Sequence, residues 1–259
     1  MTKSFNIRML AVVLIAGIMC AGSVSANKQQ QTEQIIKKLV EVNRYWLIGP
    51  SPEVHNYSYK FKLVTSPEPV TYDVKNPSTT SQSIRQGIGY YSLLNYVALH
   101  PENIKITDFA EKDSTIQLTV SIAQEVIMSC GNGIEKEKGF RGSFSVPMMK
   151  GTIWIDPNRM VPLKADIGNV NEEYGDYVSA EPNHWVPRNI KIDNNIMHFD
   201  LRFNFFKPGL WLFDTSEYRI DETEHSKAKE YHGAASISNV KINGAPAISQ
   251  KETTKQMQF

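Results

Sequence analysis

At 259 residues the chain is long enough for one large β domain with a sizeable core. Its 28 basic and 27 acidic residues leave a formal charge of +1, which excludes a nucleic acid partner, since phosphates demand a basic surface. Two cysteines are too few for a disulfide framework.

In chain order, the first segment reads as an export signal over residues 1–26. Lys3 and Arg8 form a basic start, Met9 to Cys20 an apolar core too short to span a bilayer, and Val24-Ser25-Ala26 a small-residue cleavage site. An uncleaved anchor is the alternative reading. Gly17-Ile18-Met19 does not fit a lipobox, so Cys20 is expected to leave with the signal and Cys130 to remain as the single thiol. The exported chain then carries a net charge of −1, has no second apolar segment of membrane-spanning length, and is expected to be soluble.

Thr32 to Leu47 has Ile35, Leu39, Val42 and Trp46 on one helical face, Thr32 as N-cap and Gly49-Pro50 as the stop. Tyr57, Tyr59, Phe61 and Leu63 then alternate with polar residues, as a half-buried strand does. Ser66 to Ser81, rich in Pro, Ser and Thr, reads as a connector. Ser83 to Leu99 predicts a second helix, with Ser83 and Gln86 as a capping box and His100-Pro101 as its end. Ile84, Ile88, Tyr90, Tyr91, Leu93 and Leu94 make that helix apolar nearly all round, as suits a buried element or a lid over a ligand.

From Ile104 onward the pattern is strand: Ile104 to Phe109, Ser114 to Met128, Phe140 to Val146, Gly151 to Asp156, Val161 to Ile167, Val186 to Ile192, Ile196 to Phe206, Leu210 to Ile220 and Ala234 to Ile242. Asp156-Pro157-Asn158 and Asp193-Asn194-Asn195 supply turn chemistry. The acidic stretch Gly168 to Asn183 predicts a surface loop, and the polar residues after Asn243 a frayed tail. The sharpest signal is Met197, Phe199, Leu201, Phe203 and Phe205 against His198, Asp200, Arg202 and Asn204, a strand with one greasy and one wet face. The expectation is a mainly β protein with two or three helices, its curved antiparallel sheet forming a half-barrel covered by helices. It comprises the signal, one domain over 27–243 and a tail over 244–259.

This order of elements resembles the superfamily of the lipoprotein carriers LolA and LolB, the outer-membrane lipoprotein-sorting proteins, which also takes in the envelope sensor RseB. Gly151-Thr152-Ile153-Trp154-Ile155-Asp156-Pro157 followed by Val161-Pro162-Leu163-Lys164 is similar to that group's strand-turn-strand pattern. Val186-Pro187 and Trp211-Leu212-Phe213-Asp214 are similar to its closing strands. The resemblance implies a periplasmic half-barrel that binds acyl chains, a lipid or an acylated protein, as a monomer without cofactor. Tyr90, Tyr91 and Leu94 would form the lid side of the slot, and Met197, Phe199, Leu201 and Phe203 the sheet side. The arginine that ties the lid in the carrier proper is not located, Arg85 matching by position alone, so ferrying lipoproteins between membranes is not carried over. An envelope sensor contacting a protein partner is the second reading.

An enzyme is not expected. Cys130, in Ser129-Cys130-Gly131-Asn132-Gly133, is expected in a flexible loop by its glycines and has no base placed beside it to ionise the thiol. His198 and Asp200 share a strand face and offer two ligands where a metal needs more. Glu172 and Glu173 suggest a glycosidase only as one carboxylate pair without a paired geometry, which is common surface, and Glu222, Glu224 and His225 read as a solvated run. Nucleophile-elbow, P-loop, metalloprotease and dinucleotide motifs are all absent from the sequence.

Overall fold

The computed structural model describes residues 29–64, 70–76, 93–94, 104–123, 126–131, 141–146, 148–195, 197–224 and 227–249. The expected signal therefore lies outside the described residues, as do Tyr90, Tyr91, Arg85 and most of the expected second helix. Two compact units divide the chain, Met1–Lys38 and Leu39–Phe259.

In the first unit the described residues are helical. The helix α1 covers 29–42, so Thr32 lies inside it and is not its N-cap. After a turn at Asn43, which already belongs to the second unit, a second helix, α2, runs over Arg44–Leu47 and ends before Gly49-Pro50, where the sequence places the stop. The expected single helix is thus broken at Asn43, whose side chain is fully buried and fully used. Its Nδ2 donates to Leu39 O and to Met160 O, both at 2.8 Å, and its Oδ1 accepts from Trp46 Nε1 at 3.1 Å. An asparagine that bonds neighbouring backbone competes with helix continuation, which is why the break falls there.

The second unit is mainly β. Its strands are β1 Tyr57–Val64, β2 Val70–Asn76, β3 Ile104–Lys112, β4 Thr115–Ile122, β5 Val126–Gly131, β6 Arg141–Val146, β7 Lys150–Asp156, β8 Val161–Ile167 and β9 Val170–Gly175. They continue as β10 Val178–Glu181, β11 His184–Val186, β12 Asn189–Asp193, β13 Met197–Lys207, β14 Leu210–Glu224, β15 Lys227–Ile242, β16 Ala245–Pro246 and β17 Ile248–Ser249. The main sheet has the order β2-β1-β15-β14-β13-β12-β9-β8-β7-β4-β3, every neighbouring pair antiparallel, and it does not close into a barrel. The expected half-barrel is met as a large open antiparallel sheet with few helices.

Four expectations are corrected. Val70–Asn76 is strand within the expected connector: Val70, Tyr72 and Val74 carry the period of two, and Pro69 and Pro77 bound the strand from outside, where proline does no harm to the ladder. Ser114 to Met128 is two strands, since β4 pairs with β7 while β5 pairs with β6 in a sheet of its own, with Cys130 opposite Gly142 in a strand and not in a loop. Gly168 to Asn183 is not a surface loop, because β9 is an interior strand between β8 and β12, and β10 makes a hairpin with β11. The residues after Asn243 are tied down as far as Ser249, β16 on β15 and β17 on β13, while those from 250 lie outside the described residues. Asn243 starts this return: its Oδ1 accepts from the amides of His55 and Asn56 at 2.9 and 3.1 Å, and its Nδ2 donates to Glu53 O at 2.7 Å.

Candidate binding site

The sheet buries one face, and register shows how its rows are built. Phe199 lies opposite Ile192, Ile192 opposite Glu172, Glu172 opposite Ala165, Ala165 opposite Ile153, and Ile153 opposite Leu118. One row therefore crosses six strands from β13 to β4, and all six of its residues are buried. A parallel row runs through Leu201, Ile190 and Tyr174. Burial alternates residue by residue along β4, so the period of two in the sequence is realised in space.

Helix α2 covers one end of this face. Trp46 lies against Tyr174 and Trp211 with ring centroids 5.5 and 6.1 Å away, and Tyr45 meets Phe205 and His184 edge-on at 5.4 and 5.6 Å. Phe203 stacks on Trp211 at 3.9 Å with 10° between the rings, and Trp211 Nε1 donates to Pro187 O at 2.9 Å. Aromatic pairs of this geometry add about 0.5–1.5 kcal/mol each beyond their buried area. Of the expected slot residues, Phe199, Leu201 and Phe203 are buried, Met197 is half-buried, and Leu94 is buried in a helical segment. Phe203 is packed on protein at the α2 end. Tyr90 and Tyr91 lie outside the described residues.

The feature that sequence reasoning missed is Glu172, fully buried in the middle of the apolar row. Both carboxylate oxygens accept from the Leu93 main-chain amide, at 2.8 and 2.9 Å, and Oε2 also accepts from the Tyr174 hydroxyl. A carboxylate taken out of water is costly unless such donors meet it, so this contact fixes where the Leu93-Leu94 segment sits over β9. The signal was in the sequence: Val170, Glu172 and Tyr174 share a face by the period of two, with Gly168-Asn169 as the turn before them. Its neighbour Glu173 is exposed, so the two carboxylates point to opposite faces and form no catalytic pair.

On the opposite face His198 bridges two aspartates, Nδ1 at 2.5 Å from Asp193 and Nε2 at 3.3 Å from Asp221, while Arg219 Nε stands 3.3 Å from Asp221. Asp200 is not part of this cluster. Among the described residues no group of three or more His, Cys, Asp or Glu side chains is placed to hold a metal ion, and no helix is long and apolar enough to cross a membrane. The turn between β7 and β8 is clasped by the β10–β11 hairpin: Arg159 pairs with Asp156 at 2.8 Å and lies 6.0 and 5.7 Å from the rings of Tyr177 and Trp185. Burial would raise the Asp156 carboxyl, but the Arg159 guanidinium and the amides of Asn158 and Arg159 outweigh it and hold it below the usual range.

Fold and site together define a mainly β protein whose open antiparallel sheet presents one broad apolar face with a single buried acid among its described residues. No family model, no curated protein and no solved structure matches the chain.

Proposed function

We propose that this protein is an exported, non-enzymatic carrier of a hydrophobic ligand, a lipid or an acylated protein, working in the periplasm or elsewhere in the cell envelope. The ligand is held between the sheet residues Met197, Phe199 and Leu201 and the segment that bears Tyr90, Tyr91 and Leu94. The observation that supports this reading is the width of the apolar face, whose row from Phe199 to Leu118 crosses six strands, together with the buried helical segment Leu93-Leu94 that is tied to that row at Glu172. An acyl chain gains about 0.8 kcal/mol for each CH₂ it buries, so such a face holds one without any reacting group. The Glu172 carboxylate and the Leu93 amide supply a polar tie that positions the covering segment and leaves the apolar wall intact. The resemblance of the sequence to the LolA and LolB carriers implies the same class of ligand.

Native mass spectrometry of the gently purified exported chain, followed by organic extraction, tests the proposal. A stoichiometric apolar molecule that is lost in a folded Leu94→Asp variant is expected. A clean apoprotein that also ignores added lipids and hydrophobic dyes would overturn it, and would favour a sensor that meets a protein partner through the sheet.

A further inference from the structure

We infer that His198 is a proton-operated clasp, which ties the end of β12 to β14 in acid and loosens toward neutral pH. Both ring nitrogens of His198 face carboxylate oxygens, Nδ1 that of Asp193 at 2.5 Å and Nε2 that of Asp221 at 3.3 Å. An ionised carboxylate only accepts hydrogen bonds, and a neutral imidazole carries hydrogen on one nitrogen alone. Neutral His198 therefore serves one aspartate and turns a lone pair toward the other. With a second ring proton both contacts become charge-assisted hydrogen bonds, and imidazole is the side chain that ordinarily gains that proton between about pH 8 and pH 5.

The charges around the ring set the same demand. Arg219 of β14 stands opposite His198 in register, but its Nε is directed at the other oxygen of Asp221, 3.3 Å away. Among the described residues Asp193 has no ion pair except with His198. Asp193, Asp221 and Arg219 together carry one net negative charge, which the imidazole proton cancels. The remaining charged groups on this face are Asp200 of β13, Lys191 of β12 and Glu217 of β14, the last two both opposite Asp200. Glu230 and His232 of β15 stand opposite Asp221 and Arg219, and β9 places the uncharged Asn171 opposite Asp193. His232 is the other imidazole in this set, and it serves as the control.

Position gives the clasp its leverage. Met197 and Ile220 form the terminal pair of β13 with β14, so from Asp221 to Glu224 β14 pairs with β15 alone among the described strands. His198 joins the first residue of this two-stranded extension to the last residue of β12. The turn that follows Asp193 leads to Met197, whose amide donates to Asn194 Oδ1 at 2.6 Å. The clasp lies on the polar face and operates whatever the apolar face binds.

Amide hydrogen exchange of the full exported chain at about pH 5.5 and 7.5, each corrected for its intrinsic rate, tests the clasp. Peptides spanning 190–200 and 218–224 are expected to be about threefold better protected at the lower pH, the size of effect an exposed ion pair gives. Peptides from β4, at the other end of the sheet, should show no such difference. His198→Gln should abolish it with an unchanged far-ultraviolet spectrum, as should Asp193→Asn, at a side chain 67% exposed. His232→Gln should keep it. Equal protection of the parent at the two pH values, a difference that persists in folded His198→Gln or Asp193→Asn, its loss in His232→Gln, or the same difference in β4 would each overturn the assignment.

Discussion

Glu172 shows how one side chain converts an apolar row into an addressed one. The Leu93 amide and the Tyr174 hydroxyl meet its carboxylate, so truncation orphans a buried donor as well as removing a bond. Glu172→Ala should cost about 1–3 kcal/mol in urea unfolding, and Glu172→Gln, which keeps an acceptor, distinctly less. Equal stability of Glu172→Ala and the parent would show that Leu93 is held by packing alone. Tyrosines set the alkaline limit. Burial pushes Tyr45 up to about 12, with a hydrogen bond to Glu181 adding to it, and burial also raises Tyr59 and Tyr177. Each keeps its proton in the fold above the pH near 10 at which an unfolded tyrosine loses it. Their contribution is therefore complete below about pH 10 and declines as pH rises toward 12. Unfolding free energy measured at pH 8, 10 and 11 should fall over the last interval, with a shallower fall in Tyr45→Phe.

At the scale of elements, closely paired strands leave little tolerance. Gly151 begins the β7–β8 hairpin opposite Ile167, where an added Cβ would stand 2.4 Å from Asp166 O and 2.6 Å from Ile167 Cα. Backbone cannot yield as a side chain does, so Gly151→Ala should destabilise by about 1–3 kcal/mol, seen as a lower melting temperature. A variant as stable as the parent would show that the hairpin opens there at no cost. Most elements were legible because alternation of side chains is a local property: β8 runs over Val161–Ile167 as its pattern predicts, and β13, Met197–Lys207, starts and ends within a residue of the expected Ile196 to Phe206. Where reading failed, a local cue was outweighed. Acidic residues in β9 suggested a loop, yet Val170, Glu172 and Tyr174 still alternate, and the carboxylate is satisfied by a residue 79 positions away. No local pattern encodes such a partner. The break at Asn43 has the same origin, since Met160 O, which holds its amide, is 117 positions distant.

For the whole molecule, the two faces of the same strands differ in character, Phe199 and Leu201 on one side of β13, Asp200 and Arg202 on the other. Side chains of opposite parity do not share a face, so a substitution on the polar side should leave the apolar site intact. Leu94→Asp is expected to lose the apolar ligand and Arg202→Glu to keep it, as native mass spectrometry reads; loss of the ligand by a folded Arg202→Glu protein would show that the site is not confined to the apolar face. The sequence by itself determined most of the strands, the parity of their side chains and hence which residues share a face, because these follow from a two-residue repeat within short segments. Only the tertiary structure decided the strand order, the burial of Glu172, and the tie of the residues after Asn243 into the sheet. Those depend on register between strands far apart in the chain, which is set by the packing of the whole sheet and by no single segment.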